Sequence, residues 1–145
     1  MDLFAGSGSI GIEALSRGAN LVYFVDNSLK SIRLINENLK LLNQDYDNKN
    51  SSKSIIKVYK SDVVDFLKNQ SNIIFDIIFI DPPYKINPEI MHNIFNILST
   101  GKIINKDSIV IYEFFFKKDI EFEISNLKII KKSNFGDKTV VYLSL

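Results

Sequence analysis

Two consecutive prolines, Pro82 and Pro83, close an apolar run that extends from Ile73 to Ile80. A short apolar run bounded by turn residues reads as a strand buried on both faces, hence a central strand of an open α/β sheet. Proline cannot donate to a ladder, so the strand stops where Asp81-Pro82-Pro83-Tyr84 begins. Open α/β sheets bind ligands at the carboxyl ends of their strands, and this turn is placed there. The prolines stiffen it and bring no N–H donors, leaving its carbonyl oxygens as acceptors. A carboxylate on one side and an aromatic ring on the other make a slot for a flat, amino-bearing group such as a nucleobase amine or a carboxamide. A plain strand-to-helix turn with a solvated Asp81 and a packed Tyr84 is the competing reading; the strand context and the glycine loop upstream favour the functional one.

That loop is Gly6-Ser7-Gly8-Ser9-Ile10-Gly11, which follows Asp2-Leu3-Phe4-Ala5 and opens a helical pattern at Ile10, Ile12, Ala14 and Leu15. Glycines allow a tight turn and close approach to a ligand, and the helix amino end offers backbone N–H groups. Asp26 ends the apolar run Leu21 to Val25, at the spacing from the loop where an acidic side chain can grip ribose hydroxyls. Loop and acid together point to a nucleoside-containing cofactor, and by themselves leave NAD and S-adenosylmethionine both open.

The rest of the chain alternates strands with amphipathic helices. Gly18 terminates the first helix; Ser28 to Leu42 carries Ile32, Ile35, Leu39 and Leu42 at helical spacing; Asn43 to Lys53 is polar and reads as a disordered loop. Ile55 to Tyr59 is expected as a strand, Asp62 to Asn69 as a short helix, Ile73 to Ile80 as the buried strand, Pro88 to Leu98 as a helix and Ser108 to Phe115 as a strand. Leu127 to Leu145 splits around Asn134-Phe135-Gly136-Asp137 into a hairpin. The expected fold is therefore α/β, a doubly wound, mostly parallel sheet ending in antiparallel strands, in one domain over residues 1–145. The first strand is short for a central strand, which suggests an upstream segment beyond Met1.

Composition narrows the chemistry. There is no cysteine and His92 is the one histidine, so zinc clusters and Cys-His pairs cannot be built; no metal is expected, and His92 reads as a solvated or half-packed helix residue. No apolar run reaches membrane-spanning length and the start lacks a signal peptide, so a cytoplasmic protein is the expectation. A net charge of +1, from 18 basic and 17 acidic residues, leaves phosphate attraction to local clusters such as Lys117-Lys118 and Lys131-Lys132, each of which also suits a solvated face.

The runs Asp2 to Ala19, with its Glu-Ala-Leu-Ser-Arg-Gly-Ala segment, and Phe75 to Tyr84 resemble the class I S-adenosylmethionine-dependent methyltransferases, specifically the RsmD-type 16S rRNA guanine-N2 methyltransferases. The resemblance covers essentially the whole chain and is thinner after Glu113. It departs from the family at Asp26, where Glu is usual, and in having no basic segment and helix before the first strand. It implies S-adenosylmethionine as cofactor: Gly6, Ser7 and Gly8 near its methionine part with Phe4 beside it, Asp2 shaping the loop, Asp26 on the ribose and Asn27 along the adenine. Asp62 would take the adenine amine while the backbone of Val63 meets the ring, a role compatible with Asp62 capping a helix. It implies a 16S rRNA substrate, within a small ribosomal subunit or an assembly intermediate, and a monomeric enzyme. Asp81 and the carbonyl of Pro82 would accept the guanine amine hydrogens, Pro83 would stiffen the turn and Tyr84 would stack on the base.

Three other readings share parts of this pattern. A DNA adenine-N6 enzyme would need a target-recognition region, and a protein-glutamine enzyme usually starts the turn with Asn. An NAD-dependent oxidoreductase gives Asp81 to Tyr84 no role. A truncated chain that binds cofactor without holding RNA is the third.

Overall fold

The computed structural model describes residues 1–46, 54–70, 73–115 and 126–145. The chain divides into two compact units, Met1–Asp62 and Val63–Leu145.

The first unit contains strands β1 (Asp2–Leu3), β2 (Leu21–Asp26) and β3 (Ile55–Lys60), with helices α1 (Ser9–Ser16) and α2 (Leu29–Tyr46). β2 pairs in parallel with β1 on one side and with β3 on the other. Parallel neighbours need covered crossovers, and α1 and α2 supply them. Phe24 is wholly buried and anchors a cluster with Ala5, Leu15, Val22, Ile35 and Leu39. α1 ends in a Schellman motif: the Ala19 N–H donates to the Ala14 carbonyl and the Gly18 N–H to that of Leu15, with Gly18 at φ 92°.

The second unit contains α3 (Val63–Lys68), β4 (Ile77–Ile80), α4 (Pro88–Ser99), β5 (Ile109–Phe115), β6 (Lys128–Phe135) and β7 (Lys138–Ser144). β4 and β5 are parallel, and β7 runs antiparallel between β5 and β6. One face of this sheet, carrying Ile78, Ile80, Val110, Tyr112, Phe114, Val141 and Leu143, is buried. The Phe95 ring of α4 packs edge-on against Tyr112 at 5.3 Å on that face. Asn87 caps α4 by accepting from the Glu89 N–H at 2.9 Å, and Pro88 takes the first helical position, where a missing donor costs nothing.

Several expected boundaries move. α2 continues to Tyr46, where a polar loop was expected from Asn43; the rest of that expectation, 47–53, lies outside the described residues, as does Lys117-Lys118. β4 begins only at Ile77, because Phe75 spends its N–H on the Ile103 carbonyl and the ladder with β5 opens with the Ile109 N–H donating to the Asp76 carbonyl. β1 has only two residues, Asp2 and Leu3 of the expected short strand, since Phe4 turns to φ 61°. His92 is exposed on α4.

Gly11 is held by packing. A Cβ placed there would lie 2.2 Å from Cε1 and 2.7 Å from Cζ of the buried Phe24. Alanine would gain about 1 kcal/mol of helix propensity. Overpacking against a ring with no room to retreat costs about 1–3 kcal/mol, or more at so short a distance, and dominates. We expect Gly11→Ala to lower the urea midpoint with an unchanged m-value; a midpoint at or above wild type would contradict this packing.

Candidate active site

In the first unit, the predicted residues gather at the carboxyl ends of three parallel strands. Asp2 lies on β1 and is buried, and its Oδ2 accepts the Gly11 N–H at 3.0 Å. α1 has Gly8 as its N-cap residue, in the left-handed region and with no side-chain cap, so the strand carboxylate supplies the missing acceptor and places negative charge at the positive end of the helix. Gly8 cannot be enlarged: its φ is 77° and a Cβ would meet Ile35 at 3.1 Å and Phe24 at 3.2 Å. Gly6, at φ 57°, is different. A Cβ there would meet only the Phe4 carbonyl oxygen at 3.9 Å, so its surroundings are open. Between them the Ser7 carbonyl accepts from the Asn38 side chain of α2 at 2.9 Å. Phe4 at φ 61° is, among the described residues, the non-glycine residue in the left-handed region, a conformation costing about 1–3 kcal/mol and one that concentrates at ligand sites.

Asp26 ends β2 and is buried. Oδ2 accepts the Gly6 N–H at 2.9 Å and Oδ1 accepts the Ser28 N–H at 2.8 Å. Each carboxylate oxygen has two lone pairs, so these bonds leave acceptor capacity for hydroxyls. Asn27 follows, exposed. At the end of β3, Ser61 donates its N–H to the Asp26 carbonyl at 3.0 Å, which sets exposed Asp62 just before α3. Buried Val63 opens that helix.

In the second unit, Asp81-Pro82-Pro83-Tyr84 follows β4 directly. The carbonyls of the two prolines differ: that of Pro83 accepts the Ile86 N–H at 3.0 Å, closing the turn into α4. The expectation that both are available as acceptors is corrected to that extent, because a turn feeding a helix uses one of them. Asp81 has a solvent-facing surface, yet its carboxyl is pushed above the ordinary aspartate range, first by partial burial and then by the Glu113 charge, with Lys138 opposing both. Glu113, on β5, forms an ion pair with Lys138 of β7, whose own proton affinity rises chiefly through that hydrogen bond. Tyr84 is 57% exposed and meets Phe115 edge-on, ring centroids 4.6 Å apart.

The family model described as "Conserved hypothetical protein 95" matches residues 1–144. The chain belongs to the RsmD family. Among its relatives, "Putative rRNA methyltransferase YlbH" of Bacillus subtilis is 31% identical over 94% of this chain and 70% of its own length. "Ribosomal RNA small subunit methyltransferase D" of Buchnera aphidicola subsp. Acyrthosiphon pisum is 34% identical over 78% of this chain, and this chain spans 53% of it. A crystal structure of a "putative methylase" from Haemophilus influenzae superposes with a TM-score of 0.78 at 27% identity, covering 99% of this chain and 84% of that one. A chain solved "complexed with SAH" matches at a TM-score of 0.74, with 18% identity over 99% of this chain and 44% of that one. The expected α/β class holds: parallel β1-β2-β3 and β4-β5, with antiparallel β5-β7-β6 closing the chain, as in class I methyltransferases.

Glu113, Phe115 and Lys138 surround the turn of this RsmD-family chain and were not anticipated. The β5-β7 register brings them together: Phe115 and Lys138 oppose each other across the two strands, a pairing that composition and local pattern do not signal. No helix among the described residues is long and apolar enough to cross a membrane.

The raised proton affinity of Asp81 has a thermodynamic sign. Where the native state holds a proton more tightly than the unfolded chain, stability falls as pH rises above the unfolded value, about 3.9 for aspartate. Ionised Asp81 therefore costs stability near neutral pH. We expect Asp81→Asn to melt at a higher temperature than wild type near neutral pH, and the gap to close as pH falls toward the unfolded value. Melting curves across that range check this; a gap independent of pH would show that ionised Asp81 carries no such cost.

Proposed function

We propose that this chain transfers a methyl group from S-adenosylmethionine to the exocyclic N2 of a guanine in 16S ribosomal RNA, acting as a monomer in the cytoplasm on a small ribosomal subunit or an assembly intermediate. The observation that carries the reading is the position of Asp81-Pro82-Pro83-Tyr84 at the end of β4, with a partly desolvated carboxylate flanked by an exposed aromatic ring. Support comes also from the Buchnera relative, named a ribosomal RNA small subunit methyltransferase.

The loops of the first unit suit the cofactor. Gly6 has open surroundings and positive φ, so backbone and ligand could approach closely. The remaining lone pairs of Asp26 would take ribose hydroxyls, with Asn27 along the adenine. Asp62 would accept the adenine amine, with Val63 beside the ring. Phe4, Ser7 and Gly8 would border the methionine part, and Asp2 holds α1 and the loop in place. The structure of a neighbour complexed with SAH is consistent with such a ligand. When bound, S-adenosylmethionine supplies an electrophilic methyl on a sulfonium.

The remaining chemistry belongs to the turn. A guanine amine is a weak nucleophile because its lone pair is delocalised into the ring. Asp81 and the Pro82 carbonyl would each accept one amine hydrogen, drawing the nitrogen toward tetrahedral geometry and localising its lone pair. Pro83 keeps the turn rigid through its bond from Ile86. Tyr84 would stack on the base, worth about 1–3 kcal/mol. Positioning of this kind accounts for up to about 7–11 kcal/mol of barrier in favourable cases.

The decisive assay is transfer of labelled methyl to unmethylated small ribosomal subunits, with nucleoside analysis of the 16S rRNA. N2-methylguanosine is expected. Asp81→Ala should abolish transfer while S-adenosylhomocysteine affinity, measured by calorimetry, stays within about threefold, since about 0.65 kcal/mol is the most that a residue outside the cofactor loops should contribute. An active Asp81→Ala protein, or label in adenosine or protein, would overturn the assignment.

A further inference from the structure

The sheet of the second unit has two unlike faces. Along β5 and β7 burial alternates strictly: Val110, Tyr112, Phe114, Thr139, Val141 and Leu143 are buried, while Ile111, Glu113, Phe115, Lys138, Val140 and Tyr142 are partly exposed. Cross-strand partners share a face, so the register assigns β6 residues to these sides. Phe135 opposes Lys138 and Lys131 opposes Tyr142, putting both on the half-open side; Lys132 opposes buried Val141 and lies on the other.

A register shift between Ile129 and Lys131 alters what alternation alone would give. Lys128 and Lys131 are three apart and would fall on opposite faces of a regular strand. With Ile130 as an extra residue, Lys128 pairs with Ser144 and Lys131 with Tyr142, so both lysines stand on the half-open face. Lys131 sits over the Tyr142 ring at 5.3 Å and Lys138 over that of Phe115 at 5.8 Å. Phe135 is 63% exposed at the hairpin tip. β6 carries three lysines and no acid, and Glu113 on this face is neutralised by Lys138. Because β7 runs antiparallel to β5, the tip lies at the carboxyl end of β5, alongside Phe115 and its partner Tyr84. Lysines on an edge strand also discourage edge pairing. That role needs no particular face, whereas here the bulge brings two of them onto the aromatic side.

We propose that the half-open face of β5, β7 and β6 is the track on which a single strand of the RNA substrate lies, its phosphates on Lys128 and Lys131 and a base stacked on Phe135, leading toward the Asp81 turn. Alternating cations and exposed rings match a charged backbone with bases of any sequence. The inference rests on the rRNA reading above and names its docking surface.

The test is binding of a fluorescent single-stranded RNA of about 12 nucleotides, within the site sizes such surfaces take, followed by anisotropy over a range of salt. Lys128→Gln/Lys131→Gln should weaken binding on the order of tenfold and lower the salt slope by about 1.4, two single-strand phosphate contacts. Phe135→Ala should weaken it about tenfold with the slope unchanged. Lys132→Gln, the same charge change on the opposite face, should retain the wild-type slope. Calorimetric binding of S-adenosylhomocysteine reports that each variant is folded, and cross-links from 4-thiouridine RNA to β6 or β7 of the wild type provide a readout independent of any substitution. Equal losses from Lys132→Gln and from the double variant, an unchanged slope in the double variant, or no RNA binding by wild type would each overturn the track. Methyl transfer to ribosomal subunits is scored in parallel: transfer with an unaffected double variant removes the track alone, and RNA binding on this face without transfer to guanine removes the catalytic reading alone.

Discussion

One residue ties together the three strand ends of the first unit. The Asp26 side chain bonds the Gly6 N–H in the loop after β1 and the Ser28 N–H before α2, while its backbone carbonyl takes the Ser61 N–H after β3. A hydrogen bond to a charged group is worth about 1.5–3 kcal/mol, and a buried carboxylate left without partners costs more than that. β1 contributes only two ladder residues, too few to fix the glycine loop by themselves. The loop's position therefore depends on Asp26, and on Asp2 from beneath, where it accepts from Gly11. Two short carboxylates so define the backbone that Gly6 leaves open.

The second unit shows how local arrangement decides electrostatics that the total charge conceals. A net charge of +1 gives no field of its own, and surface lysines scattered evenly would be screened within about a Debye length. β6 instead concentrates positive charge on one strand, and the bulge at Ile130 sorts it by face. Beside it, the Glu113–Lys138 pair places a negative and a positive group at the end of β5 without net charge. Such a pair adds little stability in a solvated setting. Its consequence is felt at Asp81, where Glu113 raises and Lys138 lowers proton affinity on top of partial burial.

Much of this was legible from sequence because it is encoded locally. The glycine loop and its helix, Gly18 as terminator, Pro88 as a helix start and the hairpin around Gly136 each follow from conformational rules spanning a few residues. The misreadings arise where distant partners decide. Ile73 to Ile80 is apolar throughout most of its length, and hydrophobicity cannot reveal that Phe75 spends its backbone N–H on Ile103, outside β5, so that the ladder starts only with the bond from Ile109 to the Asp76 carbonyl. The polar composition of Asn43 to Tyr46 suggested a loop, yet helix propagation costs little once α2 is nucleated and packed through Ile35 and Leu39. Glu113 and Lys138 are 25 residues apart and meet only through the β5-β7 register. A bulge, which adds one residue to one strand, leaves almost no compositional trace.

The surroundings of Asp81 bear on what kind of catalytic group it can be. An acceptor meant to polarise an amine should be ionised at working pH, yet not so tightly held by a cation that its lone pairs are drawn elsewhere. Lys138 meets the second condition: it gives its hydrogen bond to Glu113 and acts on Asp81 through Coulomb attraction. A direct Lys138–Asp81 bond would depress the carboxyl and occupy an oxygen. Burial and Glu113 raise the proton affinity of Asp81, and Lys138 opposes them. The ion pair one strand away from the turn thus acts on Asp81 in both directions, Glu113 raising and Lys138 lowering its proton affinity, while the Lys138 hydrogen bond goes to Glu113 and leaves the Asp81 oxygens to a substrate.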